Sequence, residues 1–247
     1  MINSNHQKEF LKLINEIDRS KHRAEVFNDF CEMAYSALAK VASPSAEHRN
    51  RLEDAYMATV ARYSKEDACK IAHLLAITTL ALEEGGTDFL GGVAAEMALL
   101  EPRLGQFFTP YEVSRMMAEI TFCDLEKTIK ENGYVTIQEP ALGAGSMILA
   151  AKDKVESLGF DPATTMWVEA AELNRKTYFM GFIQLTLSNI PARVFQANSL
   201  TLETYDAAYT SAASLFVATH GNPFKDQEAD HKPTNESQGI GEQLSFL

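Results

Sequence analysis

Four short stretches of this 247-residue chain carry residue types that could bind or transform a ligand. The first is Glu139-Pro140-Ala141-Leu142-Gly143-Ala144-Gly145-Ser146, placed where a β-rich run gives way to a helical one. Glycines in GxG spacing let the backbone turn tightly and let a ligand approach where a Cβ would otherwise stand. The stretch is not GxGxxG and has no Lys-Ser/Thr of a phosphate-gripping loop, so a plain glycine turn is the competing reading. The second is Ala171-Glu172-Leu173-Asn174. A carboxylate at the tip of the next strand can accept hydrogen bonds from both hydroxyls of a ribose, or can stand as a solvated strand end; Glu169 is its rival. The third runs from Leu104 to Glu112, LGQFFTPYE. Thr109 as N-cap, Pro110 at the first helical position and Glu112 at the capping-box position make a helix start. That leaves Phe107 and Phe108 to form a staple or to line a pocket over a sheet. The fourth, His220-Gly221-Asn222-Pro223-Phe224, sets an amide, a proline and an aromatic ring side by side, at what could equally be the border of a tail.

The elements that must position these groups follow from periodicity. Residues 1–103 read as helix throughout. Val26, Phe27, Phe30, Met33, Ala34, Ala37, Leu38 and Val41 form one amphipathic stripe. Ser43-Pro44-Ser45 stops it, and Leu52, Tyr56, Val60 and Tyr63 form the next. Ser64 with Asp67 starts a further helix that ends near Gly85-Gly86, and Thr87-Asp88 opens the last. From Tyr134 the pattern changes. Strands are expected at Tyr134–Glu139, Met166–Leu173 and Ala192–Ala197, with helices at Ser146–Leu158 and Arg175–Asn189 between them. Alternation of this kind implies βαβ units and a parallel sheet. Ser214–Thr219 reads as a strand leading into the Asn-Pro-Phe stretch. Residues 225–247 are polar and aperiodic, the composition of a flexible tail. The expected organisation is a helical domain over 1–103, an α/β domain over 104–224 and a tail over 225–247.

Composition removes several classes. Apolar residues make up 46% and charged ones 23%, the balance of a globular protein with a real core. No apolar run is long enough to span a bilayer, and the polar Met1–Glu9 does not read as a signal peptide. Cys31, Cys69 and Cys123 are an odd number without a CxxC, which reads as buried reduced thiols in a cytoplasmic protein. The six histidines form no ligand cluster, which argues against zinc, and Ser146 lacks the flanking glycines of a hydrolase elbow. Trp167 and Phe195 read as core residues of strands. Net charge is −12, and segments 1–103, 104–224 and 225–247 contribute −4, −5 and −3. No basic stripe marks a face that would follow phosphates unaided.

GQFFTP, then EPALGAG, then an acidic strand end, in this order, resembles the N6-adenine DNA methyltransferases of the type I restriction-modification M-subunit kind, with short phage- and plasmid-borne relatives sharing GQFFTPY and NSLTLE. The resemblance covers roughly residues 34–202. It implies an α/β fold: a helical N-terminal bundle followed by a Rossmann-like S-adenosylmethionine-dependent methyltransferase sheet, truncated here because only three or four strands fit where the family has seven. An order 3-2-1-4 is expected, with an exposed edge. The resemblance implies S-adenosylmethionine as cofactor and DNA adenine N6 as the methylated atom. Phe108, Thr109 and Pro110 would border the methionine end, Glu139, Gly143 and Gly145 would cradle its amino-acid moiety, Glu172 would hold the ribose, and Asn198 with Ser199 the adenine edge. Leu142 replaces the family's usual Cys. The family's catalytic NPPF or NPPY is reduced. By offset from Tyr205-Asp206 it falls at Thr210-Ser211-Ala212-Ala213, which has neither Asn nor Pro; Asn222, Pro223 and Phe224 supply Asn, one Pro and the aromatic, and are the catalytic residues expected.

The reduced motif and the acidity leave a second expectation, a catalytically inactive methyltransferase-like binding module acting on a restriction or modification complex, where charge could even mimic DNA. A truncated sheet implies a homodimer or a partner subunit. The terminal Gln243-Leu244-Ser245-Phe246-Leu247 resembles the peptide that docks bacterial DNA-processing proteins into the sliding clamp, with Phe and Leu in reversed order.

Overall fold

The β3–β4 connection decides the topology. Strand β3 (Ala192–Asn198) and strand β4 (Glu203–Tyr209) are separated by only four residues, Ser199 to Leu202. A parallel crossover needs a dozen or more residues, so this link can only be a hairpin. β4 accordingly pairs antiparallel with β3, with a register shift at Gln196/Ala197. Strands β1 (Val135–Glu139) and β2 (Met166–Glu172) pair in parallel with each other, and β2 with β3. The sheet order is β1-β2-β3-β4, which corrects the expected 3-2-1-4: β4 lies beside β3, not beside β1. The computed structural model describes residues 3–99 and 109–224.

Helices account for the rest: α1 (Asn3–Glu16), α2 (Arg23–Ala42), α3 (Ala46–Val60), α4 (Lys65–Glu83), α5 (Phe89–Glu96), α6 (Tyr111–Thr121), α7 (Leu125–Asn132), α8 (Ser146–Ser157), α9 (Pro162–Thr165), α10 (Arg175–Leu187) and α11 (Ala213–His220). Ser64 caps α4 as expected: its hydroxyl accepts from Asp67 N–H at 3.1 Å, while the Asp67 carboxylate accepts from that hydroxyl at 2.9 Å. Asp88 caps α5 by accepting from Gly91 N–H. The α6 start differs by one residue from expectation. Pro110, not Thr109, takes the N-cap position, and no side chain caps the helix, because the extended Pro110 backbone precedes the first helical residue.

One apolar core runs through both halves of the chain. Phe10, Val26 and Leu74 of the bundle belong to the same buried cluster as Ile137, Val168 and Ile183 around the sheet. Alternation along β2 sends Met166, Val168 and Ala170 into that core and Trp167 to the opposite face, where Tyr209, Ala213 and Phe216 cover it. Ser214–Thr219 lies within α11, so the strand expected there is a helix. Ala213, Phe216, Val217 and His220 recur at three- and four-residue spacing and turn one side toward Trp167 and Tyr134. Phe195 is half-buried under the Arg193 guanidinium, 4.7 Å from its ring centroid. Of the three thiols only Cys31 is buried; Cys69 and Cys123 sit on outward helix and loop positions. Among the described residues no helix is long and apolar enough to cross a membrane.

A polar seam locks the bundle to the sheet. The Tyr35 hydroxyl donates to Asp206 at 2.8 Å and lies 2.9 Å from the buried Tyr178 hydroxyl; Arg51 donates to the same carboxylate at 2.8 Å. His48 sits 3.7 Å from Asp206 and 3.0 Å from Ser43 Oγ. Burial holds the His48 imidazole below its ordinary value, reinforced by Arg51 and opposed by Asp206. A base with a depressed folded pKa takes up its proton more readily when unfolded, so this contribution to stability is intact above the unfolded value near 6.5 and declines as pH falls below it. Thermal melts between pH 7.5 and about 5.5 should show a steeper loss in the wild type than in His48→Gln. Parallel slopes would remove His48 from this role.

Candidate functional site

β1, β2 and β3 are mutually parallel, so their C-terminal tips open on one edge of the sheet, and there the expected binding residues gather. Glu139 ends β1 and turns its carboxylate back to accept from Ala141 N–H at 2.9 Å. Leu142 N–H donates to Ala171 O at 2.8 Å, carrying the β1–β2 pairing into the loop. Gly143 (φ 59°) and Gly145 (φ 101°) are both left-handed, a conformation in which a Cβ is strained. Gly145 N–H closes the turn on Leu142 O at 2.9 Å, and α8 starts at the next residue.

Glu172, at the tip of β2, is the hinge-pin of this arrangement. One carboxylate oxygen accepts from Gly143 N–H at 2.9 Å and the other from Asn174 N–H at 2.8 Å. Two backbone donors fix the group, yet each oxygen keeps a second acceptor position, so it can receive two further hydroxyls without being released. At the tip of β3, Asn198 accepts from Leu200 N–H at 3.0 Å and Thr201 N–H at 3.2 Å, and the Ser199 hydroxyl donates to Pro140 O. The glycine loop is thus stitched to both neighbouring strand ends. Leu173, 55% exposed, and Leu200, 96% exposed, stand on the rim and offer apolar surface for a planar ring.

Two of these contacts come from residues the sequence reading passed over. On α10, a Cβ added to Gly181 would lie 2.6 Å from Leu142 Cδ2 and 2.9 Å from Gly143 O, so the missing side chain is what lets the loop settle on the helix. A glycine in mid-helix costs roughly 1 kcal/mol against alanine, which was the available signal. On α6, buried Ser114 Oγ lies 2.9 Å from Ser146 Oγ, and the Tyr111 hydroxyl donates to Asp153 of α8. The end of the third motif, with the first turn of α6 that continues it, is therefore fastened to the helix that follows the glycine loop. Thr109 and Pro110 are exposed just ahead of these anchors, and Phe108 lies outside the described residues.

Asn222, Pro223 and Phe224 are not part of this cluster. Because β4 runs antiparallel, the chain leaves it at the N-terminal ends of β1–β3. Thr210 N–H bonds to Ala192 O at the start of β3, His220 Nε2 lies 2.9 Å from Thr164 O ahead of β2, and Phe224 packs on the Trp167 cluster. Five residues of strand separate Trp167 from Glu172, about 16 Å at ~3.3 Å per residue. The alternative segment Thr210–Ala213 emerges at the same far end.

Comparisons with known proteins bear on this site. No curated protein matches the chain. Among solved structures, one similar chain is a class I S-adenosylmethionine-dependent methyltransferase from Listeria monocytogenes, at 11% identity over 88% of this chain and 69% of that one, with a TM-score of 0.39. Another is the type I restriction-modification system methyltransferase subunit from Streptococcus thermophilus, at 15% identity over 76% of this chain and 56% of that one, with a TM-score of 0.36. The family model for N-6 DNA methylase matches residues 93–238, a span that holds the third motif, the glycine loop, the tips of β2 and β3, and Asn222–Phe224. With more than half of its length matched, this chain belongs to the N-6 DNA methylase family.

Proposed function

We propose that the crevice at the tips of β1–β3 holds S-adenosylmethionine and that the chain serves methylation of adenine N6 in DNA. The observation that carries this is the Glu172 carboxylate, fixed by Gly143 N–H and Asn174 N–H with acceptor capacity to spare. The residues present fit the group. The left-handed Gly143 and Gly145 turn the loop across the strand tips, and a Cβ on Gly145 would press on Leu185 Cδ1 at 2.9 Å, so glycine there seats the loop on α10. Glu139, Gly143 and Gly145 would hold the amino-acid end, Glu172 the ribose hydroxyls, Asn198 and Ser199 the adenine edge, with Leu173 against the ring face; Phe108, Thr109 and Pro110 would border the methionine end. When bound, the cofactor supplies an electrophilic methyl group on sulfur. Asn222, through its side-chain oxygen, would accept a hydrogen bond from the target amine and direct the nitrogen lone pair, while Phe224 stacks on the flipped base and Pro223 fixes the turn between them.

That division of labour places a demand on assembly. With Asn222–Phe224 about 16 Å of strand away from the crevice, the segment that completes the site must come from a second copy or from a partner modification subunit. The same separation favours a second reading, a cofactor-binding module without catalysis of its own. Sedimentation and adenine methylation of DNA by the purified chain distinguish the two. Methylation by a dimer, falling at least tenfold in Asn222→Ala, is the result expected of the enzyme. No methylation, with co-purification of a host modification subunit, is the result expected of the module. We further propose that Gln243-Leu244-Ser245-Phe246-Leu247, outside the described residues, docks on the sliding clamp with a Kd in the micromolar range, about −8 kcal/mol. Fluorescence polarisation of a Gly239–Leu247 peptide should lose its signal when Leu244 and Phe246 are both replaced by Ala; equal signals would dismiss the motif.

A further inference from the structure

One buried side chain joins the helical bundle to the glycine loop. Gln184 of α10 is fully buried, and each of its polar atoms has a partner. Its Nε2 donates to Ala144 O at 2.6 Å and to Asp88 Oδ1 at 2.7 Å, and its Oε1 accepts from Leu90 N–H at 3.0 Å. The orientation of the amide is settled by the partners: Ala144 O and the carboxylate oxygen accept, and Leu90 N–H can only donate. Asp88 is itself buried and fixed, since the oxygen that receives Gln184 also caps α5 by accepting from Gly91 N–H at 2.9 Å. A Cβ on Gly91 would stand 2.2 Å from the Asp88 carboxylate, so that cap requires glycine.

The consequence falls on one peptide unit. Between Ala144 and Gly145 the N–H is held by Leu142 O and the carbonyl by Gln184, so the plane of that peptide is fixed at both ends. Rotation of this plane changes ψ of Ala144 and φ of Gly145, and would carry Gly145 out of the left-handed conformation with which the loop enters α8. We infer that Gln184, tethered by Asp88 of the N-terminal bundle, is a positioning residue that sets the geometry of the glycine loop from behind, and that the bundle thereby governs cofactor affinity. The inference rests on the loop being the cofactor site. It assigns the bundle a part in binding that its all-helical, acidic surface does not announce.

The test uses the full chain and two readouts. Hydrogen exchange of the Leu142–Ser146 amides reports the loop whether or not any cofactor binds, and calorimetry reports S-adenosylmethionine affinity. Gln184→Met and Asp88→Ala remove the contact from either side, so one can fail to fold without ending the test. Asp88→Asn keeps the oxygen that receives both donors. Leu52→Ala, on α3 and remote from the loop, controls for general loss of stability. The expected result is loop exchange at least tenfold faster in Gln184→Met and Asp88→Ala, near wild-type exchange in Asp88→Asn and Leu52→Ala, and about tenfold weaker S-adenosylmethionine binding in the first pair, the cost of leaving a buried acceptor bare. Unchanged loop exchange in both variants, or equal acceleration in Leu52→Ala, overturns the inference. Absence of S-adenosylmethionine binding by the wild type overturns the cofactor reading instead, and leaves the exchange result to decide the positioning role.

Discussion

Replacing Glu172 with alanine is expected to weaken S-adenosylmethionine binding on the order of a hundredfold, the largest single effect on the cofactor site. A carboxylate accepting from two ribose hydroxyls makes two charge-assisted bonds, each worth about 1.5–3 kcal/mol, and alanine offers neither. The structural cost is smaller. Gly143 N–H and Asn174 N–H lose their acceptor, but both residues are half-buried beside the tip of β2, where water can replace it. The variant should therefore melt close to the wild type while losing affinity. Calorimetric titration of both proteins measures this. A dissociation constant within threefold of wild type would remove Glu172 from the site.

The second large effect is expected from Gly181→Ala, a substitution that never touches the ligand. Its methyl would arrive 2.6 Å from the buried Leu142 side chain and 2.9 Å from the Gly143 carbonyl. Leu142 is 4% exposed and has nowhere to retreat, so the loop must lift off α10. Overpacking of this kind costs about 1–3 kcal/mol, and the better helix propensity of alanine offsets roughly 1 kcal/mol of it. Global stability should change little while affinity for S-adenosylmethionine falls about tenfold, because the cradle has moved. Gly92→Ala is the contrast: its methyl meets only Gln7 Nε2 at 3.8 Å, so it should raise the melting temperature and leave binding alone. Equal affinities of Gly181→Ala and wild type would mean that the loop's position does not set binding.

Much of this arrangement could be read from the chain itself. The three parallel strands, the helices between them and the Ser64 and Asp88 caps follow from periodicity and capping residues, and the glycine loop and Glu172 from their places at strand ends; Glu139, Asn198 and Ser199 are implied only by the family resemblance. Three features escaped. The β4 direction depends on a link of four residues, a geometric limit that residue types alone do not display. Ser214–Thr219 is a short apolar run, and such runs fit a strand or a helix until their contacts are known; Phe216 on Trp167 is the contact that decides. From those two facts follows the placement of Asn222–Phe224 at the far end of the sheet. Gln184 escaped for a different reason: a lone polar residue inside an apolar helix gives no sign of which backbone carbonyl it will meet.

Titration of the wild-type 247-residue chain with S-adenosylmethionine, followed by calorimetry and by thermal shift, tests the central claim most directly. Binding at one site per chain, with a dissociation constant of about 1–100 μM, is the result predicted, together with a melting temperature that rises with ligand concentration. No heat and no shift at about 1 mM ligand would contradict the assignment of the β1–β3 crevice as a cofactor site.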